Sequence, residues 1–203
     1  MVQTARPNED EVNSGGTDAW AATSGSDLYA MIDETSFSDS DYISTSDSGN
    51  TATFRVHLSS VTDPVSASSH VLKYRLKWAD VAGMGVDQPD VYVKLMQDQS
   101  DGSAPGDCSQ IIWQKSHTSS SNTLGTSFST ETVTLSASEA NAISGWDASN
   151  TGYSSLCFQI GRATGFGAGE TVYLSWVEFS VPDASAGTAL PMAINTYKQL
   201  RNN

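Results

Sequence analysis

Apolar residues recur at every second position in one segment after another of this chain. Leu72, Tyr74, Leu76 and Trp78 alternate with Lys73, Arg75 and Lys77, the cleanest inside-outside alternation in the sequence. Phe54, Val56 and Leu58 alternate with Arg55 and His57, and Val91, Val93 and Leu95 with Tyr92, Lys94 and Met96. Ile111 to Trp113, Phe128 to Leu135, and Leu156, Phe158 and Ile160 add shorter segments of the same kind. A two-residue period sends successive side chains to opposite faces of a sheet, so each segment predicts a strand. The densest run is TVYLSWVEFSVP, Thr171 to Pro182. Val172, Leu174 and Trp176 fall on one face, and Tyr173, Val177, Phe179 and Val181 on the other. A strand apolar on both faces predicts a central position, covered from two sides. Pro182 has no amide proton and ends the ladder.

One helical segment interrupts this pattern. In SASEANAIS, Ser136 and Glu139 have the spacing of a capping box, and Ala137, Ala140 and Ile143 offer a short packing face. Its length suits a crossing from one sheet to the other. About eight strands separated by turn signals, with no long helix, predict an all-β fold. The long spacing between strands favours an antiparallel two-layer β-sandwich of jelly-roll type, with one short helical turn and extended termini. Residues 1–19 carry almost nothing to bury and are expected to form an N-terminal arm. The sandwich domain is then 20–182, with Trp20, Leu28, Tyr29, Met31 and Ile32 as its first apolar load and Tyr42-Ile43 as a short anchor. Residues 183–203 read as a linker and a docking tail, where Met192, Ile194, Tyr197 and Leu200 would form an apolar stripe. Folding that tail back onto its own domain is an equal expectation.

Composition narrows the partners. With 10 Lys+Arg against 23 Asp+Glu, the formal net charge is -13. Direct nucleic-acid binding needs a basic footprint, and an anionic membrane surface would repel such a chain. No apolar run approaches the roughly 20 residues that span a bilayer. The start, MVQTARPNEDEV, lacks the basic and apolar regions of a secretory signal. Between Glu9 and Asp47 there are ten acids and no base. The strand bases Lys73, Arg75 and Lys77 could therefore meet that acidic segment, in the same chain or in a neighbouring copy, although solvated strand side chains are the simpler expectation.

Candidate chemistry is sparse. His57, His70 and His117 have no neighbour at metal-ligand spacing, and no GxSxG elbow marks a nucleophile. Asp33, Glu34 and Glu178 are the carboxylates worth testing for glycosidase chemistry, Glu178 because it shares a strand face with Trp176. The simpler expectation for Glu178 is pairing with Arg75 or Lys77. Asp33, Glu34, Asp39 and Asp41 cluster hard oxygen ligands in DETSFSDSD, which would suit a structural calcium. Turn acids that cap their own backbone amides are the simpler expectation there too. No other cofactor is expected. Cys157, in the apolar run LCFQI, reads as a small buried residue, with a bridge to Cys108 open if their strands adjoin. Trp20, Trp78, Trp113 and Trp146 could include a sugar-stacking platform, but such residues more often pack a core.

Taken together, Arg6-Pro7, Trp20, LYAMIDE at Leu28–Glu34, SDYI at Ser40–Ile43, HVLKYRLKW at His70–Trp78, the SASEANAI turn and SWVEFSVP at Ser175–Pro182 form a recognisable combination. It resembles a β-sandwich module found in structural proteins of tailed bacteriophages and marine viruses, over roughly residues 6–182. The resemblance implies a virion component assembled in the host cytoplasm, and no catalytic residues. Its partners would be the major capsid protein or other virion proteins, with self-association in the particle. A chain of this size without fibre repeats favours a capsid decoration protein over a tail or fibre accessory. A jelly-roll carbohydrate-binding module, with a glycan as partner, is the competing expectation.

Overall fold

The strand Glu170–Pro182 (β11) lies at the centre of its sheet, and its register explains how it does so. The computed structural model describes residues 1–16, 19–45, 51–80, 88–98, 108–143, 152–162 and 170–184. In it, β11 pairs antiparallel with Val71–Asp80 (β6), Leu174 opposite Leu76 but Trp176 opposite Arg75. Ser175 is the extra residue of a β-bulge. The bulge shifts the two-residue period by one position, so Val172, Leu174, Val177, Phe179 and Val181 all enter the same core. Tyr173, Trp176 and Glu178 take the outer face. The expectation that β11 is apolar on both faces is thus corrected: one core face changes phase halfway along the strand.

Eleven strands form two antiparallel sheets among the described residues. In the first, Ala21–Ala22 (β3), Ile43–Thr45 (β4), β11, β6 and Ser129–Thr134 (β9) lie side by side, and Val2–Ala5 (β1) also pairs with β11. In the second the order is Pro7–Ser14 (β2), Ala52–Leu58 (β5), Leu156–Arg162 (β10), Val91–Gln97 (β7) and Gln110–His117 (β8). The chain crosses between the sheets repeatedly, giving the two-layer jelly-roll sandwich that the alternation predicts. Leu72, Tyr74 and Leu76 of the first sheet meet Phe54, Val56, Phe158, Ile160, Val93 and Leu95 of the second in one core. At about 25 cal/mol per Å² of apolar area, such burial is the main force holding the layers together.

The helical segment Ala137–Ala142 (α1) carries the capping box its sequence predicts, Ser136 and Glu139 each bonding the other's backbone amide. It crosses from β9 in one sheet to β10 in the other. The 3-10 turn Tyr29–Met31 is tied down by Asp10, whose two oxygens accept from the amides of Leu28 and Tyr29 at 2.8 and 2.7 Å.

Residues 1–19 correct a second expectation. They are not an arm over residues 1–14: β1 pairs with the last residues of β11, Val2 opposite Pro182, and β2 pairs with β5 at the border of the second sheet. A border strand draws its stability from main-chain hydrogen bonds and needs few apolar side chains; its charges guard against pairing with other molecules. Hydrophobicity alone therefore could not show these strands. β1, the carbonyl of Ile32 and β4 share one side of β11, with the Val177 amide donating to Ile32 at 3.0 Å between the two short strands.

The two open sides of the sandwich are closed by polar pairs. Where β8 faces β9, Lys115 meets Glu131 at 2.7 Å across the sheets, beside Trp113 and His117. Where β2 faces β3, the Asn13 amide both accepts from and donates to the backbone of Trp20. Ile111, expected as buried, is exposed, while Ile112 packs into the core. The register slips between Leu95 and Met96, which leaves Ile112 as the extra residue of β8.

Candidate partner surface

Motif residues scattered from Arg6 to Glu178 come together on the outer face of the first sheet. Arg6 Nε donates to the Glu34 carbonyl at 3.1 Å, and its Nη2 meets Glu178 Oε2 at 2.6 Å. The Trp176 indole donates to the same Glu34 carbonyl at 2.8 Å. Lys73 reaches the other oxygen of Glu178 at 3.1 Å, and the Ser180 hydroxyl donates to it at 3.1 Å. Arg75 grips both oxygens of Asp39, at 2.6 and 2.7 Å, and stacks over the Phe37 ring at 4.3 Å. Phe37 in turn meets Trp176 edge-on. The second cover over β11 is therefore the loop 33–42, buttressed by Arg6, and not a further layer.

The electrostatics follow from these contacts. The hydrogen bond from Arg75 and its charge hold the Asp39 carboxyl below the usual range. Burial pushes Glu34 up, and the charges of Asp33 and Asp41 push it further, against a hydrogen bond from its own amide. Glu178 is 8% exposed and engaged by two cations and a hydroxyl. The partners are Arg6 and Lys73, not the Arg75 or Lys77 that the alternation suggested. Lys77 instead sits 4.6 Å from the ring centres of both Phe128 and Tyr173, with Tyr42 against Tyr173.

Each site expected from sequence can now be placed. Lys73, Arg75 and Lys77 do share one face, and Arg75 meets the acidic segment of its own chain. Asp39 has both oxygens committed to Arg75, and no three of Asp33, Glu34, Asp39 and Asp41 bring ligand atoms within 4.8 Å among the described residues. The calcium cage weighed against turn acids for this loop is therefore not assembled among the described residues. Met192, Ile194, Tyr197, Leu200 and Trp146 lie outside the described residues. Trp20 is buried, and Trp78 and Trp113 pack against the core. Arg6 was the residue sequence reasoning missed. The signal lay in its position, the last base before a stretch with ten acids and no base.

His70 and His117 turn out to have matching surroundings. In each, Nδ1 donates to a backbone carbonyl, Ser68 at 3.1 Å and Asn122 at 2.8 Å. Each Nε2 then accepts from a buried phenol, Tyr153 at 2.7 Å and Tyr74 at 3.0 Å. Burial holds both imidazoles below the ordinary histidine value, and it pushes the Tyr153 phenol up to about 12. A cleft of about 310 Å³ runs beside Tyr153, lined also by Asp63, Val65, Ala140 and Asn141. The Tyr153 hydroxyl is already given to His70. On the outer face of the second sheet, Cys108 and Cys157 form a disulfide, Cα atoms 6.2 Å apart, beside His57 and Glu11.

No protein-family model and no curated protein matches the chain. Solved structures of similar outline include a carbohydrate-binding module of the β-sandwich superfamily, described as promiscuous in specificity, at 14% identity and TM-score 0.46. That match covers 88% of this chain and 56% of the other. Tailspike protein 4 of bacteriophage CBA120, an enzymatically active domain, matches at 8% identity and TM-score 0.41, over 88% of this chain and 19% of that one. A Stig cyclase from Fischerella sp. TAU matches at 12% and 0.46, over 90% and 85%. The chain spans about half the length of the first and a fifth of the second. Likenesses at this level are of outline and assign no ligand or activity.

Proposed function

We propose that this chain is a non-catalytic structural module of a virus particle, a decoration protein attached to the capsid lattice. The supporting observation is the convergence of the ion pairs of Arg6 and Lys73 with Glu178 and of Arg75 with Asp39 on one face, where Arg6 and Trp176 also both donate to the Glu34 backbone carbonyl. The residues that carry the resemblance to virion modules thus brace a scaffold. The carboxylates of Asp39 and Glu178 are occupied by guanidinium and ammonium groups, leaving them poorly placed to move protons. Affinity for the lattice then comes from contacts repeated over many copies, and from the tail at 183–203.

The test is a particle-binding measurement with the full chain and with a chain ending at Asp183. Both proteins should melt at the same temperature, and the shorter one should occupy particles at least tenfold more weakly. Full occupancy by the truncated protein, or a copy number of only a handful per particle, would remove the decoration role. Phe37 supports a second reading, glycan binding. It stands 52% exposed on its loop against Trp176, and sugars stack on aromatic rings so presented. In that case Phe37→Ala would abolish glycan retention and leave particle occupancy unchanged.

A further inference from the structure

Glu11, His57, Cys108 and Cys157 each bring one potential ligand atom into a cluster whose members lie within 4.8 Å of one another. We propose that the dithiol form of this protein binds one Zn²⁺ through these four side chains, and that closing the Cys108–Cys157 disulfide empties the site.

Around the disulfide, the imidazole and the carboxylate already stand at ligand spacing from the cysteine sulfurs. His57 Nδ1 lies 3.3 Å from Cys157 Sγ, and Glu11 Oε2 lies 3.5 Å from the same sulfur. In a tetrahedral site with bonds of about 2.0–2.3 Å, neighbouring ligand atoms stand roughly 3.3–3.8 Å apart. Glu11 Oε2 already meets Arg55, and in the dithiol form the same carboxylate would lie between that guanidinium and the metal. Two thiolates, an imidazole and a carboxylate form a donor set of the borderline softness that Zn²⁺ prefers.

The strands deliver these ligands deliberately. Cys157 of β10 sits directly opposite His57 of β5. Glu11 is the extra residue of a bulge in β2, where Asp10 pairs with Val56 and Val12 with Arg55. Bulges of this kind re-aim a side chain beside a site. Arg55 then holds two ligands at once. Its Nε meets Glu11 Oε2 at 2.8 Å, and its Nη1 donates to the Cys108 carbonyl at 2.8 Å. Two thiolates and a carboxylate carry three negative charges; Zn²⁺ and Arg55 together balance them. Both cysteines are buried against Met96, so water would compete poorly for the ion.

The two states exchange by a balanced reaction. An oxidant of the small-molecule disulfide class takes two electrons from the metal-bound thiolates and leaves, with two protons, as two thiols. The Cys108–Cys157 bond forms and Zn²⁺ departs.

The experiment uses the untagged full chain, reduced with a phosphine under anaerobic conditions and titrated with Co²⁺ as the probe. The expected result is one Co²⁺ per chain, with the intense visible bands of tetrahedral coordination and near-ultraviolet thiolate charge transfer. One equivalent of Zn²⁺ should bleach both. Glu11→Gln and His57→Ala should each weaken Zn²⁺ binding tenfold or more, and the disulfide form should take up none. Folding of the variants is checked by their melting in the oxidised state, where no metal is involved. A weak octahedral spectrum from the reduced wild type would overturn the site. So would unchanged affinity in both folded variants, or equal uptake by the oxidised protein.

Discussion

Two histidines are held neutral by burial and by their hydrogen bonds. His70 and His117 each donate through Nδ1 and accept through Nε2, an arrangement that requires the neutral ring. Burial lowers both folded-state pKa values below 6.5, opposed only in part by the nearby charges of Asp63 and Glu131. The unfolded chain therefore takes up protons first, and stability present above pH 6.5 is lost as the pH falls below it. Melting temperature should fall between pH 7 and 5.5, and less steeply in His117→Gln; an unchanged slope would remove His117 as a cause. Raised carboxyls at Glu11 and Glu34 act with the opposite sign, from about 4.5 upward, and so blunt the effect at its acid end. Glu178 offers a separate test. Glu178→Gln leaves Arg6 and Lys73 without their anion; both are partly exposed, so the cost is about 2 kcal/mol, below that of a fully buried pair. Urea denaturation would read it as a lower midpoint at constant slope. Little at this scale was legible beforehand. Ordinary histidines in strands gave no hint of their phenol partners, because those pairings join residues 43 and 83 positions apart.

Strands were far more legible than the contacts between them. Period-two alternation placed β5, β6, β7 and β10 within two or three residues of their observed bounds, since a half-buried strand must alternate. The capping box likewise marked α1, because that signal is local. β11 shows the limit of the method. A one-residue bulge at Ser175 makes a single core face look like two, and only the partner strand reveals it. At the N-terminus the failure was different, since β1 and β2 contribute main-chain ladders and few apolar side chains. Removing residues 1–14 should therefore prevent folding, because it strips a strand from each sheet and exposes β5 and β11. Removing residues 1–5 should leave a folded protein of lower melting temperature. Circular dichroism melts of the two truncations would show this, and wild-type melting of the longer one would contradict the stitched arrangement. The candidate surface was half legible: its basic strand and acidic loop stood out separately, and only folding joined them through Arg75 and Asp39.

For the molecule as a whole, charge and topology matter most. The cations Arg6, Arg55, Lys73, Arg75 and Lys115 each meet a carboxylate of the same chain, so the acids in excess define the outer field. At a net charge of -13 the folded protein repels itself. Raising salt from 0.01 to 0.15 M shortens the screening length from about 30 to about 8 Å, and melting temperature should rise. A fall would mean that the internal ion pairs outweigh the repulsion. The pairing of Val2 with Pro182 has a further consequence, for synthesis. As the nascent chain leaves the ribosome, β1 must wait for β11, the last strand among the described residues. Until then β1 has no partner, and the wait exposes its hydrogen-bonding edge to every other newborn copy nearby.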